Sequence, residues 1–526
     1  MIRMPSGVQR SCFIRSLMVL SLLTLGCRAK DVPPPLVQPR PVIPTHRGVA
    51  PPPAPSAQAL WVALADHLGR SPESDASPVP LQLTSAGPAP LRLSKAGDSD
   101  GPAELVRAAT LQIRWRRSPL PAPLTISRLV AGPFASFESA ERVAQRWRAK
   151  GARAQVAHPD AWEVWLPADA PPLPDVSLRT TTQTITTVVT PSVQTPAGDR
   201  LETGPLLLEA PDGLRWQGGV MRGPFRLQPD AYGTWTLLEQ VPLERYLEGV
   251  VPHEIGAGSP PAALEAQAVL ARTWALANSH RFRLDGYHLC SDTQCQVYSD
   301  PRHAGPSVRQ AIKATEGQVL LWQGKPISAV YHASNGGVMA SAPEAWAMAP
   351  AAYLRSRPDG DARWLSRWPL PLDSAAVNDL LQEASGVYGA GHPLFRWQRT
   401  YSAGQLEKAL AEPGLGAIRG VEVLARGPSG RVLGLRVLGD GPDASITLRL
   451  DAIRRRLRRL PSTLFTLSSQ GPGQWRFEGG GFGHGAGLSQ AGAIDLARRG
   501  WTAEQILQHY YPGTVLEPVP ASDEAL

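Results

Sequence analysis

The chain has 526 residues, a formal charge of +8 and 43% hydrophobic residues. That length exceeds one typical domain and points to about three to four units, and the apolar content excludes global disorder. The basic residues are scattered rather than gathered in one arm, so nucleic acid is not indicated as a partner; a mildly basic surface suits an anionic polymer, cell-wall glycan included.

The chain opens MIRMPSGVQRSCFIRSLMVLSLLTLGC. Arg3, Arg10 and Arg15 precede a short apolar run, Leu17 to Leu25. The run is too short for a permanent membrane helix and predicts an export signal over 1–27. It ends Leu25-Gly26-Cys27, which resembles a bacterial lipobox, although Thr24 stands where such motifs usually carry Leu. Cys27 is the lipidation candidate, and cleavage with release is the alternative. The expected location is therefore the cell envelope, at the outer face of a membrane and held only by lipid. Residues 28–58 are dominated by Pro and predict an extended linker.

From Leu60, LWVALAD and VPLQLTSAGPAPLRL alternate apolar and polar residues around Gly/Pro turns, so 59–115 reads as short strands. Within residues 119–170, a strand (Ile126–Val130) leads through Gly-Pro to a helix with Ala140, Val143, Ala144 and Trp147 at helical spacing. Ser136 and Glu138 sit at its start, Gly151 at its stop, and a second strand runs from Arg153 to Val156. This β-α-β order resembles half of a SPOR domain, a ferredoxin-like module that binds peptide-free peptidoglycan strands; an ordinary βαβ piece is the alternative. The Thr-rich SLRTTTQTITTVVTP and the strands up to Leu243 are β-rich.

A short helix, Leu243 to Val250, is broken by Pro252 and leaves Glu254 on a Gly/Pro-rich loop. Pro260 and Pro261 then open a long helix with Ala263, Leu264, Ala268, Val269, Ala271 and Ala275 on its apolar faces. A carboxylate pressed between two helices is a candidate general acid or base, because burial keeps it protonated towards neutral pH; capping or plain solvation is the bland alternative. Near the C-terminus, six of the ten residues 478–487 are Gly, around a single His484. No Lys follows, so this is not a phosphate-cradling P-loop. The fifteen Trp are mostly core or rim residues rather than sugar platforms.

YLEGVVPHE with ALEAQAVLARTWAL, then CQVYSD, AIKATEGQVLLWQGKPISAVYHASNGG, EAWAMAPAAYLRSRPD, RLRRLPSTLF, GGFGHGAGLSQAGA and ILQHYYPGT, in that order, resemble the SpoIID/LytB family of bacterial cell-wall proteins. The resemblance runs over about residues 180–516, with the strands of 59–115 as a split-off N-terminal part. It implies an α+β fold: a β-rich catalytic region with a long helix after the catalytic loop, plus the small SPOR-like module. The organisation is then the signal, the linker, 59–115, 119–170, a SpoIID/LytB domain over 171–516 and a disordered tail over 517–526.

The resemblance also implies a lytic transglycosylase. Such an enzyme cleaves the β-1,4 bond between N-acetylmuramic acid (MurNAc) and N-acetylglucosamine (GlcNAc) in strands lacking stem peptides and leaves a 1,6-anhydro sugar. The family's acid falls on Glu254. A glycoside hydrolase needs two carboxylates, whereas a lytic enzyme works with one, and no second carboxylate stands out. Glycines at 479–487 are expected to let the glycan lie against backbone, with His332, Ser334, Asn335, Gly337, Gly483, His484 and Gln490 as substrate contacts; a His484 satisfied by its own loop is the alternative.

Cys290 and Cys295, with four residues between them and exported, favour a disulfide. His288, Cys290 and Cys295 as zinc ligands are the alternative that the family suggests, although zinc prefers four ligands. No other cofactor is expected. A non-catalytic enhancer of a cell-wall amidase, or an envelope scaffold, is the competing functional class.

Overall fold

A computed structural model describes residues 46–50, 52, 59–71, 76–96, 102–457 and 460–519. The export signal with Cys12 and Cys27, residues 28–45 of the linker and the last residues of the tail lie outside them. The fold is mixed α and β. Among the described residues no helix is long and apolar enough to cross a membrane.

Seven strands form the first sheet, in the order Leu289–Cys290, Leu60–Leu68, Trp235–Val241, Phe225–Pro229, Leu206–Glu209, Leu91–Lys95 and Ala103–Ala108. Strands from 59–115 and from the region after 200 are thus neighbours: Leu60 pairs with Val241 and Leu208 with Leu93. Their inward residues alternate, as in Leu206 and Leu208, and join one core with the central helix and the C-terminal helices.

An eight-stranded sheet is built around a long antiparallel pair, Thr110–Phe134 with Leu178–Thr195. The block over residues 119–170, which interrupts the chain between strands of the two sheets, grows from this pair. Thr110–Phe134 feeds a helix, Phe137–Arg148, capped by the Ser136 hydroxyl, which accepts the Ser139 amide. Gly151 follows at φ +80°, as expected for a helix stop. The next strand is Gln155–Ala157, two residues later than its expected start, and Trp162–Leu166 fits between it and Thr110–Phe134. The block holds one helix, where a complete ferredoxin-like module has two.

The central helix, Pro261–Ala277, is buried on nearly every side: the six apolar positions expected from its spacing are fully buried, and so are Gln267, Arg272 and Thr273. The buried Arg272 is satisfied by both carboxylate oxygens of Glu244 (2.7 and 2.6 Å) and by the Gln318 carbonyl (3.0 Å). Past Pro512 the chain does not become a free tail, because Val515–Pro518 pairs antiparallel with Gln318–Trp322. That edge offers unpaired backbone groups which the C-terminal segment satisfies.

Candidate functional site

Glu254 does not stand on an open loop. The Leu243–Val251 helix continues into a five-residue π-turn, Pro252–Gly256, which carries it. Pro252 has no amide to donate, so the α-pattern cannot run through it, and the backbone widens instead. The segment after Cys295 lies directly against this helix because residue 249 is Gly: a Cβ there would sit 2.5 Å from the Ser299 carbonyl. The close approach puts the Val297 amide 3.1 Å from Glu254 Oε1.

Two further donors face the Glu254 carboxylate, the Tyr331 hydroxyl and the Gln490 side chain. A relay holds Tyr331: the Tyr246 hydroxyl donates to Gln296 Oε1 (3.1 Å), and Gln296 Nε2 donates to the Tyr331 hydroxyl oxygen (2.9 Å). Gln490 Nε2 also donates to Gln267 of the central helix at 3.3 Å. Burial raises the Glu254 carboxyl above its ordinary value, and the three donors, which favour the charged form, only partly offset this.

Glu254 lines two clefts at once. One, of about 230 Å³, is walled by Gln294–Val297, Tyr331, Trp346, Arg454, Arg455 and His484. The other, of about 670 Å³, is walled by Gly386, Val387 and Gly389–Pro393 on one side and by Gln490, Ala491, Ile494, Asp495, Arg498 and Arg499 on the other. The other carboxylates lining these clefts are engaged, Glu138 with Arg281 and Asp495 with Arg499. Burial alone would raise the Glu138 carboxyl, but Arg281 and local hydrogen bonds hold it below its ordinary value. Among the described residues Glu254 is therefore the one carboxylate of the two clefts outside an ion pair.

The glycine-rich loop does something other than expected. It runs from the strand Gln474–Gly480 to the helix Gln490–Arg498, and its glycines pack against protein. A Cβ at Gly485 would meet the Arg431 guanidinium at 2.3 Å, and one at Gly483 would meet His332 Cβ at 2.7 Å. His484 is locked by its own surroundings. Its Nδ1 accepts the Ala486 amide (3.2 Å), which leaves Nε2–H to donate to the Tyr331 carbonyl (2.8 Å). Its ring also lies 4.5 Å from that of Trp346 and keeps one edge towards the smaller cleft.

The YHASNGG residues lie behind this wall. His332 is buried, with Nδ1 on the Ala486 carbonyl at 3.1 Å, and Nε2 has no partner among the described residues. Burial, with His484 and Arg431 nearby, holds its imidazole well below its ordinary value. Ser334 and Asn335 are also buried; Asn335 donates to Asp359 at 2.6 Å and accepts the Gly337 amide at 2.9 Å. Gly337 backs onto Trp364. Of the residues singled out in the sequence, Glu254, His484 and Gln490 reach the clefts, while His332, Ser334, Asn335, Gly337 and Gly483 support them from inside. Tyr331, Gln296, Val297, Trp346, Arg454 and Arg455 were missed. Each lies in or beside a block quoted above, but nothing local marks it as facing Glu254.

Cys290 and Cys295 are joined as a disulfide. Their sulfurs are thus not available as thiolate ligands, and His288 is buried with Nδ1 accepting the Trp61 amide at 3.0 Å. Among the described residues no group of three or more His, Cys, Asp or Glu is placed to hold a metal ion. The donor set does not fit zinc.

Residues 231–322 match the family profile "Stage II sporulation protein", and residues 340–487 match a "Domain of unknown function (DUF8618)". The chain is 29% identical over 299 residues to "Stage II sporulation protein D" of Bacillus amyloliquefaciens, covering 52% of this chain and 74% of that protein. It is 26% identical over 302 residues to the protein of that name in Bacillus subtilis (strain 168), covering 54% and 77%. It is also 27% identical over 291 residues to an "Amidase enhancer" of the same strain, covering 51% of this chain and 40% of that protein.

Proposed function

The chain belongs to the SpoIID/LytB family, and from that premise we propose that it is a peptidoglycan lytic transglycosylase with Glu254 as its acid and base. The observation that carries this reading is a single raised carboxyl at the junction of two clefts whose other carboxylates are held in ion pairs. A glycan strand lying through both clefts presents its glycosidic bond to Glu254. The acid gives its proton to the leaving GlcNAc oxygen as the C1–O4 bond of MurNAc breaks. The resulting carboxylate then takes the proton of the MurNAc 6-hydroxyl, whose oxygen closes onto C1. One group serves both steps, and no water enters. The site acts at the cell envelope, where the lipid anchor on Cys27 and the inserted block would hold the chain against the wall.

Residues 28–526, wild type and Glu254→Gln, incubated with amidase-treated glycan strands, test this by mass spectrometry of the products. Anhydro-muramyl ends from the wild type alone are expected. Hydrated reducing ends, or equal cleavage by both forms, overturn the assignment. The likeness to an amidase enhancer favours one other reading, a non-catalytic partner of a wall amidase. In that case neither form cleaves, and both stimulate the amidase equally.

A further inference from the structure

The smaller Glu254 cleft does not end the groove. Phe137 and Arg281 line it and also line a third cleft of about 560 Å³ on their far side. The inserted block supplies one wall of that cleft through Arg148 and Gln155, and the chain just after the central helix supplies the other through His280 and Arg283. The shared boundary is rigid. Arg281 lies 4.6 Å over the Phe137 ring and 4.7 Å over Trp274, and it is bonded to Glu138, to Asn278 at 3.0 Å and to the Gln294 carbonyl at 3.4 Å. Three clefts therefore stand in series, joined first at Glu254 and then at Phe137 and Arg281. A small ligand uses one cleft, whereas clefts in series suit a linear polymer.

The third cleft is basic. Arg148 is paired with Glu141 and Arg281 with Glu138, which leaves exposed Arg283 as the arginine of this cleft outside an ion pair among the described residues. A peptide-free glycan strand carries one free lactyl carboxylate on every MurNAc, which gives such a cleft an anion to select.

We propose that the third cleft is a distal subsite for the same glycan strand, with Arg283 pairing to a lactyl carboxylate beyond the sugars at Glu254. The inserted block is then a wall of the working groove. This rests on the reading of Glu254 as a glycan-cleaving centre, and the test separates the two.

In the Glu254→Gln background, binding of peptide-free muroglycan is measured for a tetrasaccharide and for strands of ten or more sugars, with Arg283, Arg283→Glu and Arg283→Lys. Long strands are expected to bind more tightly than the tetrasaccharide. Arg283→Glu should weaken only the long strands, by about tenfold, and Arg283→Lys should restore most of the loss. Chito-oligosaccharides of the same length, which lack the carboxylate, should not respond to Arg283→Glu. Equal losses at both lengths, no length dependence in the parent, or an equal response with chito-oligosaccharides each overturn the subsite. If the wild type does not cleave, the reading of Glu254 fails, and the length-dependent binding still decides the subsite.

Discussion

The imidazole of His484 donates to the Tyr331 carbonyl at 2.8 Å, and the hydroxyl of the same Tyr331 faces Glu254. The glycine-rich loop thus reaches the acid through one intermediate residue. Burial lowers the His484 imidazole to about 4, below the unfolded value of about 6.5. The folded chain binds this proton less readily than the unfolded chain. The contribution to stability is therefore present above about pH 6.5 and is lost as pH falls towards 4. Wild-type melting temperature should drop across that window more steeply than that of His484→Phe. At pH 7.5 the Phe variant should be less stable by about 1–2 kcal/mol, because two hydrogen bonds go while the packing on Trp346 stays.

Glu254 has the opposite sign. Its carboxyl is raised by burial, so the folded chain holds the proton more tightly, and stability is lost as pH rises from about 4.3 through the raised value. Glu254→Gln should gain melting temperature relative to the wild type at pH 8 and show little difference at pH 4. The same titration should give wild-type cleavage an alkaline limb, and the variant should lose about 100- to 10,000-fold in kcat. Melting curves and rates at matched pH check both.

Tyr331→Phe removes one donor to the Glu254 carboxylate and the acceptor of Gln296 Nε2. Losing a donor to the charged form raises the carboxyl further. The alkaline limb of cleavage should move upward by about one pH unit. A merely structural role would lower the melting temperature and leave the limb in place.

The Cys290–Cys295 bridge closes a small loop, with five residues of sequence separation. Replacing both by Ser should cost about 2 kcal/mol by loop entropy. Gln296 and Val297 follow Cys295 directly and hold Tyr331 and Glu254, so kcat should fall even at temperatures where the variant is fully folded. Added zinc should restore neither property.

Local chemistry made some of this legible in the sequence. Ser136 and Gly151 bound the inserted helix, Pro261 opens the central one, and Glu254 and Gln490 sit in distinctive strings. The π-turn was not legible, because Pro252 fixes where the α-pattern stops but not how the backbone continues. The interior places of Ser334 and Asn335 were hidden for another reason: polar residues in a Gly-rich string look like ligand contacts until their partners, such as Asp359, are brought in from a distant segment. Tyr331 and Gln296 became visible only when three separate stretches met at one carboxylate.

The inserted block shares both of its rails with the rest of the chain. Ile113 pairs with Val193 in the main core, and the same two strands run on to Ala131 opposite Leu178. Leu238 of the first sheet packs in one cluster with Trp147 and Trp162 of the block. A recombination that moved residues 119–170 alone would cut the Thr110–Phe134 strand mid-span, take away the partner of the first half of Leu178–Thr195 and open that cluster. Breakpoints near Thr110 and Thr195 would keep the pair whole, so the block is tied to the body around it.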